Sequence, residues 1–129
     1  MATFEVTPDS LVVHINGLDR VRAMRGRVEV PLAHVVSVDF DPEDAQRELD
    51  AFWKETFMPG AVAPSNSLVG TYTEHGDRIF WDVHHAAKAV TVRLANDHYN
   101  KIIAEVDDPK VTAESLQEVV RRERKASAR

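Results

Sequence analysis

The sequence predicts a mainly β fold of the α+β class: a small barrel or bent sandwich of about seven or eight antiparallel strands with one capping helix at the C-terminus. Three observations lead to this prediction. Residues 68–106 hold four runs rich in β-branched and aromatic residues, separated by short turn-like breaks. Shorter alternating runs occupy much of residues 4–40, and one long amphipathic pattern follows Pro109.

The first two short runs predict a hairpin. Apolar residues alternate with others in residues 4–6 and 11–15, and the ThrProAspSer sequence between them has the composition of a turn. The side chains expected to face the core are Phe4, Val6, Leu11, Val13 and Ile15.

A short helix is expected next, between Gly17 and Gly26. Leu18, Val21 and Met24 fall at helical spacing in this segment, which predicts about two turns.

Two more strands follow, over residues 27–30 and 34–40. Pro31 lies between them, and because proline has no amide hydrogen to donate, it predicts a corner or a sheet edge there. The residues expected to share one face of the second strand are His34, Val36, Val38 and Phe40.

Residues 41–67 are the least regular part of the chain. Pro42, the acids after it and the apolar residues Leu49, Phe52 and Trp53 fit a short helix. Residues 57–67 contain two prolines, a glycine and small residues, so we expect a loop there.

The four runs of residues 68–106 predict an antiparallel meander. Its strands are expected at about 68–74, 78–84, 89–94 and 101–106. In the second strand, Ile79, Trp81 and Val83 should share one face, and Phe80 and Asp82 the other.

The only long helix is expected to begin at Pro109, with Asp108 as its cap, and to end near Arg124. We therefore expect a single domain over residues 1–124 and a flexible basic tail over residues 125–129.

Composition excludes several classes of chemistry. The 129 residues include no cysteine, which rules out disulfides, thiolate metal sites and a thiol nucleophile. The N-terminus lacks the features of a signal peptide, and no apolar run approaches the ~20 residues that a membrane span needs. These observations predict a soluble, cytoplasmic protein.

Charge is unevenly distributed along the chain. The net charge is −5, and residues 121–129 contain five basic residues and one acidic residue, so residues 1–120 carry −9. Nucleic acid is not an expected partner of such an acidic body, because each phosphate contact needs a cation.

Several segments of the second half resemble a known group of proteins. They are GlyThrTyr at 70–72, PheTrpAspValHisHis at 80–85, ThrValArgLeu at 91–94, TyrAsnLysIleIle at 99–103 and ValAspAspPro at 106–109. With the order of elements, they look like small, uncharacterised bacterial proteins with a pleckstrin-homology-like (PH-like) domain. The resemblance implies a PH-like fold and a binding role, and it brings no catalytic residues.

Histidines and acids near the second meander strand are candidate ligands of a metal site. Asp82, His84 and His85, with Asp77 or His75 nearby, are suitable ligand types. In a strand, however, His84 and His85 point to opposite faces, so both bind one ion only if the strand has already ended. We expect solvated histidines and no bound metal or cofactor.

Catalysis is not expected either. Asp82 lies among aromatic residues, where burial would raise its pKa, but its alternation with Trp81 and Val83 favours the solvent face of a half-buried strand. The sequence contains no nucleophile elbow and no glycine-rich phosphate loop.

Four arginines form the first candidate binding surface, for anionic small molecules or lipid headgroups: Arg20, Arg22, Arg25 and Arg27. In lipid-binding PH domains, basic residues near the first strands hold phosphoinositide headgroups, and ArgGlyArg at 25–27 loosely resembles that pattern. The alternative is that these arginines pair with acids such as Glu29 and Asp39 on an ordinary surface.

Four apolar residues form the second candidate, an interface with a protein partner or another copy of the chain: Phe52, Trp53, Phe57 and Met58. The alternative is that they belong to the core. The basic residues from Arg121 onward are either a solvated extension or a contact for acidic groups.

The function expected from the sequence is that of a non-enzymatic binding or scaffold domain acting through a protein partner or self-association. The alternative is a binder of anionic small molecules or lipid headgroups that uses the arginines of residues 20–27.

Overall fold

The computed structural model describes residues 1–24, 26–56 and 67–127, except for the side chains of Arg22, Thr56 and Ser127. The strands are β1 (Ala2–Val6), β2 (Ser10–Ile15), β3 (Arg27–Pro31), β4 (Val35–Asp39), β5 (Leu68–Glu74), β6 (Asp77–Val83), β7 (Ala89–Leu94) and β8 (Lys101–Glu105). The helices are α1 (Asp19–Arg22), α2 (Pro42–Thr56) and α3 (Pro109–Ser127).

The first sheet has the strand order β1-β2-β3, with both pairs antiparallel. The predicted hairpin is confirmed: the amide of Thr7 donates to the carbonyl of Ser10 at 2.9 Å across the turn. Leu11 and Val13 of β2 are fully buried, whereas Val6, at the end of the edge strand, is exposed and not a core residue as predicted.

The second sheet has the order β4-β7-β8-β6-β5, and it corrects the predicted meander. The strand positions agree with the prediction to within one residue at each end. However, β8 lies between β6 and β7 and pairs with β6 in parallel, with Phe80 opposite Ile102. The short connection from Val83 to Ala89 therefore passes over the end of β8 rather than forming a hairpin.

The two sheets form a sandwich and do not close into a barrel, so the barrel alternative is wrong. The corner predicted at Pro31 is present: β3 ends there, a turn of 3₁₀ helix spans Leu32–His34, and β4 begins the other sheet. A coarse description as a bent, mainly β sandwich with a C-terminal helix is confirmed. The PH-like identity of the fold stays a prediction.

Each face of the second sheet covers a separate part of the core. Phe80, Val92 and Ile102 face the first sheet and α3. Trp81 and Ile103 are on the opposite face and pack against α2. The predicted alternation along β6 is confirmed, but both faces are buried, because helix and sheet cover the strand from opposite sides.

The helices differ from the prediction in length. α1 is one turn rather than two, and α2, expected to be short, has 15 residues. The cap of α3 is confirmed, since Asp108 Oδ1 accepts a hydrogen bond from the amide of Val111 at 3.2 Å. The helix continues to Ser127, beyond the predicted end near Arg124.

Among the described residues, no helix has both the length and the apolar composition needed to span a bilayer. Of the loop predicted over 57–67, residues 57–66 lie outside the described ranges.

Candidate functional site

The segment that joins β2 to β3 contains α1 and most of the arginine cluster. Its base is closed by a hydrogen bond of 3.0 Å from the amide of Ile15 to the carbonyl of Gly26. Gly17, at φ +63°, turns the chain into α1 in a conformation that suits glycine. Ala23 and the side chain of Asp19 are buried and anchor the segment.

The apolar side chains of this segment point to solvent. Leu18 and Val21 are each 75% exposed, and Met24 is 91% exposed. Their spacing does place them on one side, but the opposite side, which carries Asp19 and Ala23, faces the body of the protein. We call Leu18, Val21 and Met24 the α1 stripe.

Exposed arginines flank the α1 stripe. Arg20 is exposed, and a Cβ at Gly26 would lie only 2.8 Å from Arg20 Nε, so a glycine there leaves room for the arginine to fold back over the loop. Arg27 is exposed and pairs with Glu29, as the surface-pairing alternative expected. Arg25 and the side chain of Arg22 lie outside the described residues.

Beneath α1 lies a group of buried polar residues that sequence reasoning did not assemble. His84 Nε2 lies 2.9 Å from Asp19 Oδ1 and 3.0 Å from Asp19 Oδ2. Asp82 is completely buried beside them. The amino group of Met1 lies 2.6 Å from Asp19 Oδ2 and 3.4 Å from Asp82 Oδ1. We call Asp19, Asp82 and His84 the buried triad.

Asp82 lies in β6, and His84 follows directly after that strand, which ends at Val83. Because these residues are two positions apart, their side chains lie on the same side of the chain. The expectation that Asp82 lies on a solvent face is therefore wrong, because the first sheet and α1 cover that side of β6. No pattern in the sequence connects Asp19 to β6.

The two carboxyl groups of the buried triad differ in their electrostatics. Burial, together with a hydrogen bond and charge repulsion from Asp19, raises the pKa of Asp82 to about 7. Burial also disfavours the charged form of Asp19. Hydrogen bonds from Asp82, the Met1 amino group and His84 outweigh that effect and hold the pKa of Asp19 below its ordinary value. Asp19 therefore carries the charge, and Asp82 is the member of the pair that takes up a proton as pH falls through neutrality.

Two further contacts orient His84. Ser67 Oγ lies 3.0 Å from Nδ1, on the opposite side of the ring from Asp19. The backbone amide of His84 donates to Glu105 Oε1 at 2.8 Å. One contact holds the imidazole ring and the other holds the backbone of His84, so that Nε2 is directed at Asp19.

His85 points away from the buried triad. Its Nδ1 lies 3.3 Å from Glu105 Oε2, and its ring is largely exposed. Glu105 is buried at the end of β8, where burial disfavours its charge, but the amides of His84 and His85 donate to it and keep its pKa below the ordinary value.

The other predicted residues lie elsewhere. His75, in the turn between β5 and β6, lies 2.7 Å from Glu55 of α2, and a second group of possible metal ligands there is the exposed set Glu55, Glu74 and His75. Asp77 begins β6 beside it and is not in the buried triad.

Phe52 and Trp53 lie on α2 in the apolar layer against the second sheet. Phe52 is buried and contacts Trp53 and Tyr72 edge-on, with ring centroids 5.2 Å and 5.0 Å apart. Trp53 is half-buried. Phe57 and Met58 lie outside the described residues, so the proposed interface stays a prediction for them.

The basic end of α3 contacts its own helix and β4. Arg121 and Arg122 pair with Glu118, and the Arg124 guanidinium donates to the carbonyl of Val36. Asp39, considered as a partner for the arginines of residues 20–27, instead accepts a hydrogen bond from Arg93 at 2.9 Å.

No protein-family model, curated protein or solved structure matches this chain. The PH-like resemblance therefore stays a prediction, and the functional argument rests on the geometry of α1 and its surroundings.

Proposed function

We propose that the protein is a non-enzymatic binding domain that docks on anionic lipid surfaces through the α1 stripe and the arginines beside it. The observation that carries this proposal is the outward direction of Leu18, Val21 and Met24 on a segment anchored from below by Asp19. Apolar side chains that protrude beside arginines match a bilayer interface, where acyl chains accept the former and phosphates the latter.

Area distinguishes a lipid surface from a protein partner. The α1 stripe exposes roughly 400 Å² of mainly apolar surface, about half of the ~800 Å² that each partner buries in a standard protein interface. A bilayer needs no matching shape and accepts a small protruding tip. Lipid therefore fits this surface better than a protein partner or a second copy of the chain does.

The expected free energies of the contacts predict a weak but measurable affinity for anionic lipid. Burying half of the α1 stripe is worth about 5 kcal/mol at ~25 cal/mol per Å². Arg20 and Arg27 add about 1 kcal/mol each beside anionic lipid. The total of about 7 kcal/mol corresponds to a Kd of the order of 10 µM. The acidic remainder of the chain opposes binding, so the observed Kd should lie above this value and rise with salt.

The test is co-sedimentation with vesicles of phosphatidylcholine alone or mixed with phosphatidylserine. We expect binding to the mixed vesicles only. The triple variant Leu18→Ser, Val21→Ser, Met24→Ser and the double variant Arg20→Ala, Arg27→Ala should each bind at least tenfold more weakly. Val111→Ser is the matched control, because Val111 is an exposed apolar residue on α3, and this variant should bind like the parent.

Three outcomes would overturn the proposal. They are absence of binding by the parent protein, equal binding by the triple variant, and equal loss in Val111→Ser. Light scattering on the same samples tests the protein alternatives: an oligomer that survives high salt in the parent and disappears in the triple variant would assign the α1 stripe to self-association instead.

A further inference from the structure

We infer that Asp19, Asp82 and His84 form a binding site for a divalent transition-metal cation of the Zn²⁺ class, beneath α1. This inference is independent of the proposed lipid docking. It rests on the ligand geometry of the buried triad, on one unpartnered buried oxygen and on the contact that orients the histidine.

The geometry fits a single ion. Each residue offers one ligand atom, and these atoms all lie within 4.8 Å of one another. A tetrahedral ion with bonds of about 2.1 Å holds its ligand atoms about 3.4 Å apart. The triad therefore needs shifts of an ångström or so, within the reach of side-chain rotation, and no rearrangement of β6.

The second observation is an unsatisfied oxygen. Asp82 is fully buried, yet its Oδ2 accepts no hydrogen bond from the described residues. Leaving a buried carboxylate oxygen without a donor costs free energy, and native structures rarely do so without a functional reason. A bound cation provides that partner.

The chemistry of the ligands selects the class of ion. Two carboxylates and one imidazole suit Zn²⁺ and similar first-row divalent ions, whereas Ca²⁺ and Mg²⁺ prefer oxygen ligands only. Ser67 Oγ contacts His84 Nδ1 at 3.0 Å, so Nδ1–H can donate to the hydroxyl while Nε2, which contacts Asp19 in this structure, binds the metal. Ser67 is thus a positioning residue for the site.

The amino group of Met1 occupies the same side of the carboxylates, at 2.6 Å from Asp19 and 3.4 Å from Asp82. It supplies positive charge where the ion would lie. Metal binding therefore displaces the ammonium and releases the proton that Asp82 holds, and the ion then neutralises both carboxylates.

The test uses full-length, untagged protein that has been dialysed against a chelator. Zn²⁺ alone is titrated by calorimetry, and Co²⁺ is titrated by visible absorption, which reports the coordination geometry. We expect one equivalent of tight binding and a rise in Tm on adding Zn²⁺. Absence of binding in the parent protein overturns the inference. In that case, hydrogen bonding within the buried triad is sufficient to explain its burial.

Variants locate the site. Asp82→Asn and His84→Gln should each weaken binding by more than about 100-fold, and Ser67→Ala by about 10–100-fold. His85→Gln and His75→Gln are matched controls, since these exposed histidines lie outside the buried triad, and they should bind like the parent. Binding retained in both Asp82→Asn and His84→Gln, or lost in His75→Gln, overturns the assignment.

Folding is checked separately, by far-ultraviolet circular dichroism of each metal-free variant. If His84→Gln does not fold, Asp82→Asn replaces it, because an amide of the same shape removes the ligand without adding a cavity. Asp19→Asn provides a third ligand variant, for which the expected loss is the same.

Discussion

His84 Nε2 lies 2.9 Å from Asp19 Oδ1, and this contact joins residues that are 65 positions apart in the chain. It fixes α1, on one sheet, to the end of β6 on the other. The side chains are 28% and 7% exposed, so solvent screens the contact only in part. It is therefore worth more than an exposed pair of the same type.

A double-mutant cycle measures this contact. We expect Asp19→Asn and His84→Gln, in metal-free protein, to show a coupling free energy of about 1–2 kcal/mol in urea unfolding. The control cycle uses Glu5 and His14, a pair of 2.6 Å whose side chains are much more exposed. That cycle should give no more than about 0.5 kcal/mol. Equal values for both would show that α1 is not held through this contact.

Glu105 is the second anchor of the same region. Its buried carboxylate accepts hydrogen bonds from the amides of His84 and His85. Glu105→Ala leaves both donors unsatisfied and should lower the free energy of unfolding by about 3 kcal/mol, whereas Glu105→Gln keeps an acceptor and should cost about 1 kcal/mol. Glu114→Ala, at an exposed position of α3, should change it by less than about 0.5 kcal/mol. The reverse order of Ala and Gln would contradict the assigned hydrogen bonds.

Phe52 should contribute to stability as a core residue. Phe52→Ala leaves a cavity between α2 and the second sheet, and we expect the free energy of unfolding to fall by about 3–4 kcal/mol. Chemical denaturation provides the measurement, with Val111→Ala as an exposed apolar control. A loss below about 1 kcal/mol would mean that α2 does not pack on the sheet as described.

The pair of His75 and Glu55 predicts a pH effect. A hydrogen bond and the charge of Glu55 raise the pKa of His75 above its ordinary value of 6.5. Because the folded-state pKa is the higher one, the stabilisation is fully present below pH 6.5 and is lost as pH rises through the folded-state pKa.

NMR titration of the His75 ring tests this pair. The pKa should return toward its ordinary value in Glu55→Gln and stay raised in Glu43→Gln, which removes an exposed acid at the other end of α2. An unchanged pKa in Glu55→Gln would show that α2 and the turn after β5 do not meet in solution.

Local patterns predicted the elements well, because each is encoded by its own residues. The alternation along β6 and the turn residues on either side placed that strand to within one residue of its observed bounds. The helix cap at Asp108 could also be predicted from the sequence, because capping needs only the side chain and the backbone amides that follow it.

The order in which the strands pair could not be predicted from local sequence patterns. Alternation shows which residues share a face but not which strand lies beside another, so the parallel pairing of β6 and β8 was missed. One signal was present: Ile102 and Ile103 are adjacent, and both are fully buried. Consecutive apolar residues are typical of a strand covered on both faces, at the centre of a sheet.

A bulge caused the error in β4. The register shifts between Val35 and Ser37, which turns Val36 outward, where it is 44% exposed. The bulge adds one residue to the strand, and one extra residue inverts the alternation of faces. The residues before the bulge therefore lie on the face opposite to the one predicted. His34 likewise falls in the turn before the strand.

The buried triad could be predicted only in part. Asp82 and His84 are two positions apart, so alternation places them on the same side of the chain, but it does not show that this side is buried. Asp19 lies in α1, and no local pattern connects it to them. The α1 stripe shows another limit, because the helical spacing of apolar residues groups them on one side but does not show whether that side is buried.

The central position of β8 also affects how the protein is made. β8 is the last strand of the described chain, yet it alone joins the β5–β6 hairpin to the β7–β4 pair. Before residues 101–105 leave the ribosome, the nascent chain holds two half-sheets, each with an open edge that a neighbouring molecule can pair with. A chain released before that point should aggregate, and premature termination should therefore leave inclusion bodies rather than a smaller folded protein.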